Sequence, residues 1–232
     1  TTTLGLAGAL VLKEKKVLIV DLDSQGNASA ALGLFSEGNA PTVKQLFSSR
    51  GDPGAFIVKT DGIDIIPSDN SLKDIEQVLA EEKDFALLKN SLSPIETGYD
   101  FILFDCPPSF NIFTKNALVA ADEYLVPVDV GYFSIIGLKQ LLEEVEQIRI
   151  NLNPRLKLTG VLANKFDKRT KLSEQVIETL RKSFPDTFFT SVVRVNIDIV
   201  RSQIAQEAIF KFSPKSSGSE DFLLLSEEVL HG

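Results

Sequence analysis

The chain has 232 residues, enough for one large domain or two small ones at roughly 150 residues per domain, and a chain of that size folds without disulfides or metals. Apolar residues make up 44% and charged residues 24%, which excludes whole-chain disorder, collagen and coiled coil. The single cysteine, Cys106, excludes a disulfide framework and any cluster or zinc site needing several thiolates, and the formal charge is −8.

In chain order, residues 1–14 read as a helix rich in small residues, Gly5, Ala7, Gly8 and Ala9 among them. The apolar run Val17-Leu18-Ile19-Val20 reads as a strand buried on both faces. A polar loop, Asp21 to Asn27, leads into a short helix from Ala28 to Leu34. A strand is expected over Ile63–Pro67 and a helix over residues 72–92, with Leu72, Ile75, Val78 and Leu79 at helical spacing. Tyr99 to Phe104 is a second buried strand, running into Asp105-Cys106-Pro107-Pro108, with Cys106 expected to be a small buried hydrophobe. Further strands are expected over Tyr124–Val128 and Leu158–Ala163, and helices over residues 137–150 and Leu172–Phe184. Ser213 to Ser219 reads as a loop, and Ser219 as the N-cap of a last helix running to Leu230. Strands alternating with helices predict an α/β fold in which a parallel twisted sheet carries helices on both faces, as one domain over residues 1–232.

In such sheets, ligands bind beyond the C-terminal ends of the strands. Two apolar strands here deliver an aspartate to that edge, Asp21 and Asp105. A carboxylate so placed suits a hydrated Mg²⁺ beside a phosphate. Thr1-Thr2-Thr3 opens directly into a helix, and hydroxyls with free backbone N–H groups at a helix start suit both metal and phosphate. The glycine-rich loop and lysine that usually precede such a helix do not occur in the 232 residues.

Charge is uneven. Residues 1–154 carry 12 Lys/Arg against 22 Asp/Glu, residues 155–215 carry 12 against 6, and residues 216–232 carry 4 acids and no Lys or Arg. The basic third reads either as a polyanion-binding face or as a mixed solvated surface. No apolar run approaches the roughly 18 residues that cross a bilayer. The chain starts without Met and contains none; the expectation is that the 232 residues come from a longer chain or one whose methionines are absent here.

Several segments occur in one order: Thr1-Thr2-Thr3, KVLIVDLDSQGN (16–27), YDFILFDCPP (99–108), NALVAAD (116–122), GVLANKFD (160–167) and PKSSGSEDF (214–222). In this the whole chain resembles the ParA/Soj branch of the deviant Walker P-loop ATPases, the family that also contains MinD. The family's KGGVGKTT loop would end at Thr1 or Thr2, so its first strand, signature lysine and Walker lysine fall outside these residues. The resemblance implies ATP and Mg²⁺ as cofactors. Thr1 would supply the Mg²⁺ hydroxyl and Thr2 a phosphate contact. Asp23 would orient the attacking water, Asp21 would support the metal and the switch loop, and Asp105 would be the Walker B carboxylate. Pro107-Pro108 would shape the loop over the γ-phosphate. Asn164 would bond the base, with the Arg194-to-Asn196 loop closing its pocket. Asn164-Lys165-Phe166-Asp167 also matches the guanine-reading N-K-x-D tetrad, so GTP stays open beside ATP.

The resemblance further implies slow hydrolysis, an ATP-sandwich homodimer, a cytoplasmic and nucleoid-associated location, and nonspecific DNA read through its phosphates. Candidate DNA contacts are Lys168, Arg169, Lys171, Arg201, Lys211 and Lys215. A cargo-bound adaptor, ParB-like or other, would stimulate hydrolysis, the cargo being a plasmid or chromosome or, alternatively, a protein assembly such as carboxysomes or chemoreceptor clusters. A MinD-like membrane role is the remote alternative, because Phe222 to Leu230 is acidic; no membrane partner is expected. The chain departs from the family pattern at Gly131, where a glutamate often precedes Tyr132-Phe133, and at Lys139, which is either a substitute trans contact to ATP or an exposed surface lysine.

Overall fold

The computed structural model describes all residues except 35–40, 49–50, 61, 131–133 and 232, and only the backbone of 134–136. Gly131, Tyr132 and Phe133 therefore lie outside the described residues. The elements run α1 (Thr2–Leu12), β1 (Val17–Asp21), α2 (Asn27–Ala31), α3 (Val43–Ser48), β2 (Val58–Lys59), β3 (Asp64–Ile66), α4 (Lys73–Glu82), α5 (Leu87–Leu92), β4 (Phe101–Asp105) and α6 (Ile112–Ala120). They continue with β5 (Glu123–Asp129), α7 (Ser134–Asn151), β6 (Lys157–Phe166), α8 (Lys171–Ser183), β7 (Phe188–Arg194), α9 (Ile197–Ile204), α10 (Ile209–Phe212) and α11 (Ser217–His231).

Among the described residues the strands form two ladders, β2-β3-β1-β4 and β5-β6-β7. All pairings are parallel except β2 with β3. The expected parallel architecture is present, with one antiparallel edge strand added. Val17-Leu18-Ile19-Val20 is buried throughout, as its unbroken apolar run requires. Val17 and Ile19 face a core shared with α1 and α11, which also takes in Leu162 of β6 and Phe189 and Val193 of β7. Leu18 and Val20 face a second core built with α3 to α6. Helices thus cover both faces of β1, and its C-terminal end is left for a site.

The small residues of α1 serve close packing against other helices. A Cβ on Gly5 would lie 2.4 Å from the Phe222 ring of α11, and one on Gly8 would lie 2.8 Å from Phe210. Gly5→Ala is expected to destabilise the fold by about 1–3 kcal/mol through overpacking. Among the described residues nothing lies within 4 Å of a Cβ built on Gly137 in α7, so Gly137→Ala is expected to stabilise by about 0.5–1 kcal/mol. Urea unfolding of the two variants checks the contrast, and equal midpoints would contradict it.

Three expectations need correction. The helix expected over residues 72–92 is two helices. Lys83 takes a left-handed conformation (φ 54°), and fully buried Asn116 holds the break by donating to the Asp84 carbonyl and accepting from Leu88 N–H. Ser219 is no N-cap: it is fully buried inside α11, its Oγ donating to the Ser213 carbonyl, while Ser216 Oγ accepts from Ser219 N–H. Cys106 is exposed rather than buried, because β4 ends at Asp105 and the chain leaves the sheet there.

Phe188–Arg194, not expected as a strand from the sequence, forms β7, and its ladder is irregular. Val161 pairs with Phe188 and Ala163 with Val192, so β7 carries two extra residues there. The N–H groups of Thr190 and Ser191 donate instead to the Glu228 carboxylate of α11. This bulge satisfies the amides from a helix rather than a strand.

Candidate functional site

β1 and β4 are paired in register so that Asp21 lies opposite Asp105 at the C-terminal end. Asp21 is fully buried. Its Oδ1 accepts from Asp23 N–H at 3.1 Å, and its Oδ2 accepts from Ser29 N–H at 3.0 Å and Ser29 Oγ at 2.7 Å. Ser29 Oγ in turn accepts from Ser68 N–H. Burial pushes the Asp21 carboxyl up to about 6; the Ser29 hydroxyl opposes that shift and the Asp105 charge adds to it. Asp21 thus ties the segment from Asp23 to Ser29 to the end of β1 through both of its oxygens.

The loop it holds is narrow. Gly26 caps α2 at φ 60°, and a Cβ there would meet the Ser68 carbonyl oxygen at 2.7 Å. Asp23 precedes this turn, its Oδ1 accepting from Gln25 N–H at 2.9 Å. Asp23 shares the lining of an open cavity of about 410 Å³ with Gln25, Pro107, Pro108, Asn111 and Glu76. Asn111 caps α6 and donates to Glu76 Oε1 at 3.0 Å. Asp23 and the two prolines therefore line one cavity. Glu76 was missed, since its spacing in the sequence marks only the polar face of a helix.

The threonines divide. Thr1 precedes α1 and is exposed, its Oγ1 accepting from Gln203 Nε2 at 3.0 Å. Thr2 is the first helical residue. Thr3 donates from Oγ1 to Asp105 Oδ1 at 2.5 Å. The hydroxyl bonded to the Asp105 carboxylate is that of Thr3. A helix turns through about 100° per residue, so which of three successive threonines faces β4 depends on how α1 docks.

Among the described residues no group of three or more His, Cys, Asp or Glu side chains makes a ready metal cage. Mg²⁺ takes one or two carboxylates and otherwise waters and phosphate oxygens. Hydroxyl, carboxylate and helix N-terminus meet at this point, so the residues present fit a magnesium–phosphate ligand.

The second ladder presents its own strand ends. Asn164 Nδ2 donates to Asp129 Oδ1 at 2.9 Å, and Lys165 Nζ to Asp129 Oδ2 at 2.6 Å. Asp167 is engaged by the Nε, Nη2 and backbone N–H of Arg169. That hydrogen bonding pulls the Asp167 carboxyl down to about 2. Val195 N–H donates to the Phe166 carbonyl at 3.0 Å, which brings the Arg194-to-Asn196 loop beside the end of β6. Arg194 itself is committed elsewhere. Its backbone N–H and Nε donate to buried Asp221, and its Nη2 to Glu220. Asn196 caps α9 through Oδ1 and donates to Ser217 Oγ. These two side chains anchor the loop to α11, while the exposed side chain between them is Val195, which sequence reasoning passed over.

Lys168, Arg169 and Lys171 are exposed at the entry to α8, and Arg201, Lys211 and Lys215 are exposed around α9 and α10. They form two groups on separate connections. Arg169 pairs with Asp167, and Arg201 lies 3.6 Å from Asp198. Lys139 is exposed on α7. None of the described helices is long and apolar enough to cross a membrane.

A family profile described as an AAA domain matches residues 1–158. The chromosome partitioning protein ParA of Caulobacter vibrioides is 34% identical over 235 residues, covering 99% of this chain and 88% of that protein. The chromosome-partitioning ATPase Soj of Thermus thermophilus is 36% identical over 231 residues, covering 99% and 89%. The crystal structure of cobyrinic acid a,c-diamide synthase from Mycobacterium smegmatis with bound ATP analog and magnesium superposes with a TM-score of 0.88 at 26% identity, covering 100% of this chain and 88% of the other.

Proposed function

Because the chain belongs to the ParA/Soj family of partition ATPases, we propose that it is an ATP-driven positioning switch: a homodimer when ATP-bound, held on nonspecific DNA, and released when a cargo-bound adaptor stimulates hydrolysis. The observation that carries this reading is the convergence of Thr3, Asp105 and the Asp21-held loop at one strand edge. The neighbouring structure with ATP analog and magnesium supports the same cofactors by likeness of fold.

Asp105 would hold Mg²⁺ through a metal water and Thr1 would supply the Mg²⁺ hydroxyl, with Thr3 bonded to the Asp105 carboxylate. The ion, when bound, neutralises charge on the phosphates. The free N–H groups at the start of α1 would receive phosphate oxygens, Thr2 among them. Asp21 fixes the loop, and Asp23 would accept a hydrogen bond from the attacking water and hold its orientation. Pro107 and Pro108 stiffen the opposite wall. Asn164 would meet the base, with the Arg194–Asn196 loop closing over it. Lys168, Arg169, Lys171, Arg201, Lys211 and Lys215 would contact DNA phosphates without reading sequence. Lys139 would contact ATP across the dimer.

The test is equilibrium binding of the full-length protein to random-sequence duplex DNA with ATP, ADP, GTP or no nucleotide, at two salt concentrations. Binding with ATP alone, weakening steeply as salt rises, is the expected result. Binding indifferent to nucleotide, or absent throughout, contradicts the proposal.

A further inference from the structure

Asp129 ends β5 and pairs in the ladder with Asn164 of β6. In a regular strand, residues 164 and 165 would project to opposite faces. Here Lys165 adopts a left-handed conformation (φ 53°), and the β6–β7 register slips between Asn164 and Phe166. The irregularity aims both side chains at one carboxylate: Asn164 Nδ2 at Oδ1 and Lys165 Nζ at Oδ2. A strained conformation at a non-glycine residue persists only where its surroundings impose it, and such residues cluster at ligand sites.

The chemistry then follows from what a carboxylate is. Ionised Asp129 accepts hydrogen bonds and donates none. Only the NH₂ of Asn164 can face it, so the amide oxygen is the atom left for a ligand. Adenine presents a 6-amino donor at its edge, and guanine a 6-oxo acceptor. An amide oxygen attracts the first and repels the second. The residue that would read guanine's N1 and N2 hydrogens, Asp167, already accepts three hydrogen bonds from Arg169.

We infer that Asp129 is a positioning residue that sets base selectivity, orienting the Asn164 amide to accept from a 6-aminopurine nucleotide, with Lys165 occupying the second carboxylate oxygen. The inference rests on the proposal that Asn164 meets the base. It is tested on the full-length protein by measuring equilibrium affinities for ATP, GTP and the purine riboside triphosphate lacking the 6-amino group. Wild type and Asp129→Asn are compared with Mg²⁺ present. In wild type, removing the amino group is expected to weaken binding about fivefold, the scale of one net hydrogen bond. In Asp129→Asn, whose amide can offer a donor or an acceptor, that loss shrinks toward unity and the ATP:GTP affinity ratio falls about fivefold or more. A purely structural Asp129 would weaken all three nucleotides alike; unchanged ratios in the variant therefore overturn the inference. Wild-type indifference to the 6-amino group overturns it without any variant. If wild type binds ATP, either result leaves the proposed function standing; if wild type binds no nucleotide, both fall.

Discussion

Asp23→Ala is expected to lower ATP turnover by about 100-fold or more, the scale of one positioned acid–base group, while changing ATP affinity little. The separation follows from how the loop is built. Asp21 and Gly26, not Asp23, hold the loop in place, through Ser29 and the close approach to Ser68. Among the described residues, the Asp23 carboxylate accepts a local bond from Gln25 N–H and lines the cavity bounded by Pro107 and Pro108. Removing it costs an acceptor for the attacking water and little of the fold. Single-turnover hydrolysis beside equilibrium ATP binding separates the two effects. Wild-type hydrolysis in the variant would remove Asp23 from the chemistry, and loss of ATP binding would make it a structural residue.

Asp21→Ala is expected to act on the fold instead, lowering stability by about 2–3 kcal/mol. Three donors from Asp23 and Ser29 would lose their acceptor in a fully buried site. The wild-type group also imposes a pH dependence. Its carboxyl titrates near 6 in the fold, against the ordinary value of 3.8. Between those values the folded state holds a proton that the unfolded chain has released. In metal-free buffer this contribution to stability is therefore full below about pH 4, falls as the pH rises to about 6, and is lost above. Asp21→Asn lacks that titration, so the stability difference, wild type minus Asp21→Asn, grows as the pH drops from 7 to 4. Denaturation midpoints across that range measure it, and parallel profiles would contradict the burial argument.

The parts of this site that were readable from sequence are those dictated by the chain's own neighbours. An apolar run such as Val17 to Val20 is a strand buried on both faces, and the residue after it, Asp21, must emerge at the sheet's edge. The same logic places Asp105 after Phe104, and the two meet in register. What escaped reading depends on elements distant in sequence. Thr3 rather than Thr1 meets Asp105 because of how α1 docks across 102 residues of separation. Asn164 was legible as a candidate, but its amide orientation comes from Asp129, 35 residues earlier and on another strand. Arg194 looks free in the sequence and is claimed by Asp221 only once α11 folds back on β7. The break between α4 and α5 comes from Asn116, a residue the family resemblance marked without saying why.

The most direct test of the account is ATP hydrolysis by the full-length protein, with Mg²⁺ and with EDTA, for wild type and Asp105→Ala. Turnover by wild type with Mg²⁺, abolished by EDTA and by Asp105→Ala, is the result the geometry predicts. Turnover that survives either change would mean that the edge formed by Thr3, Asp21 and Asp105 is not where this chain handles its nucleotide.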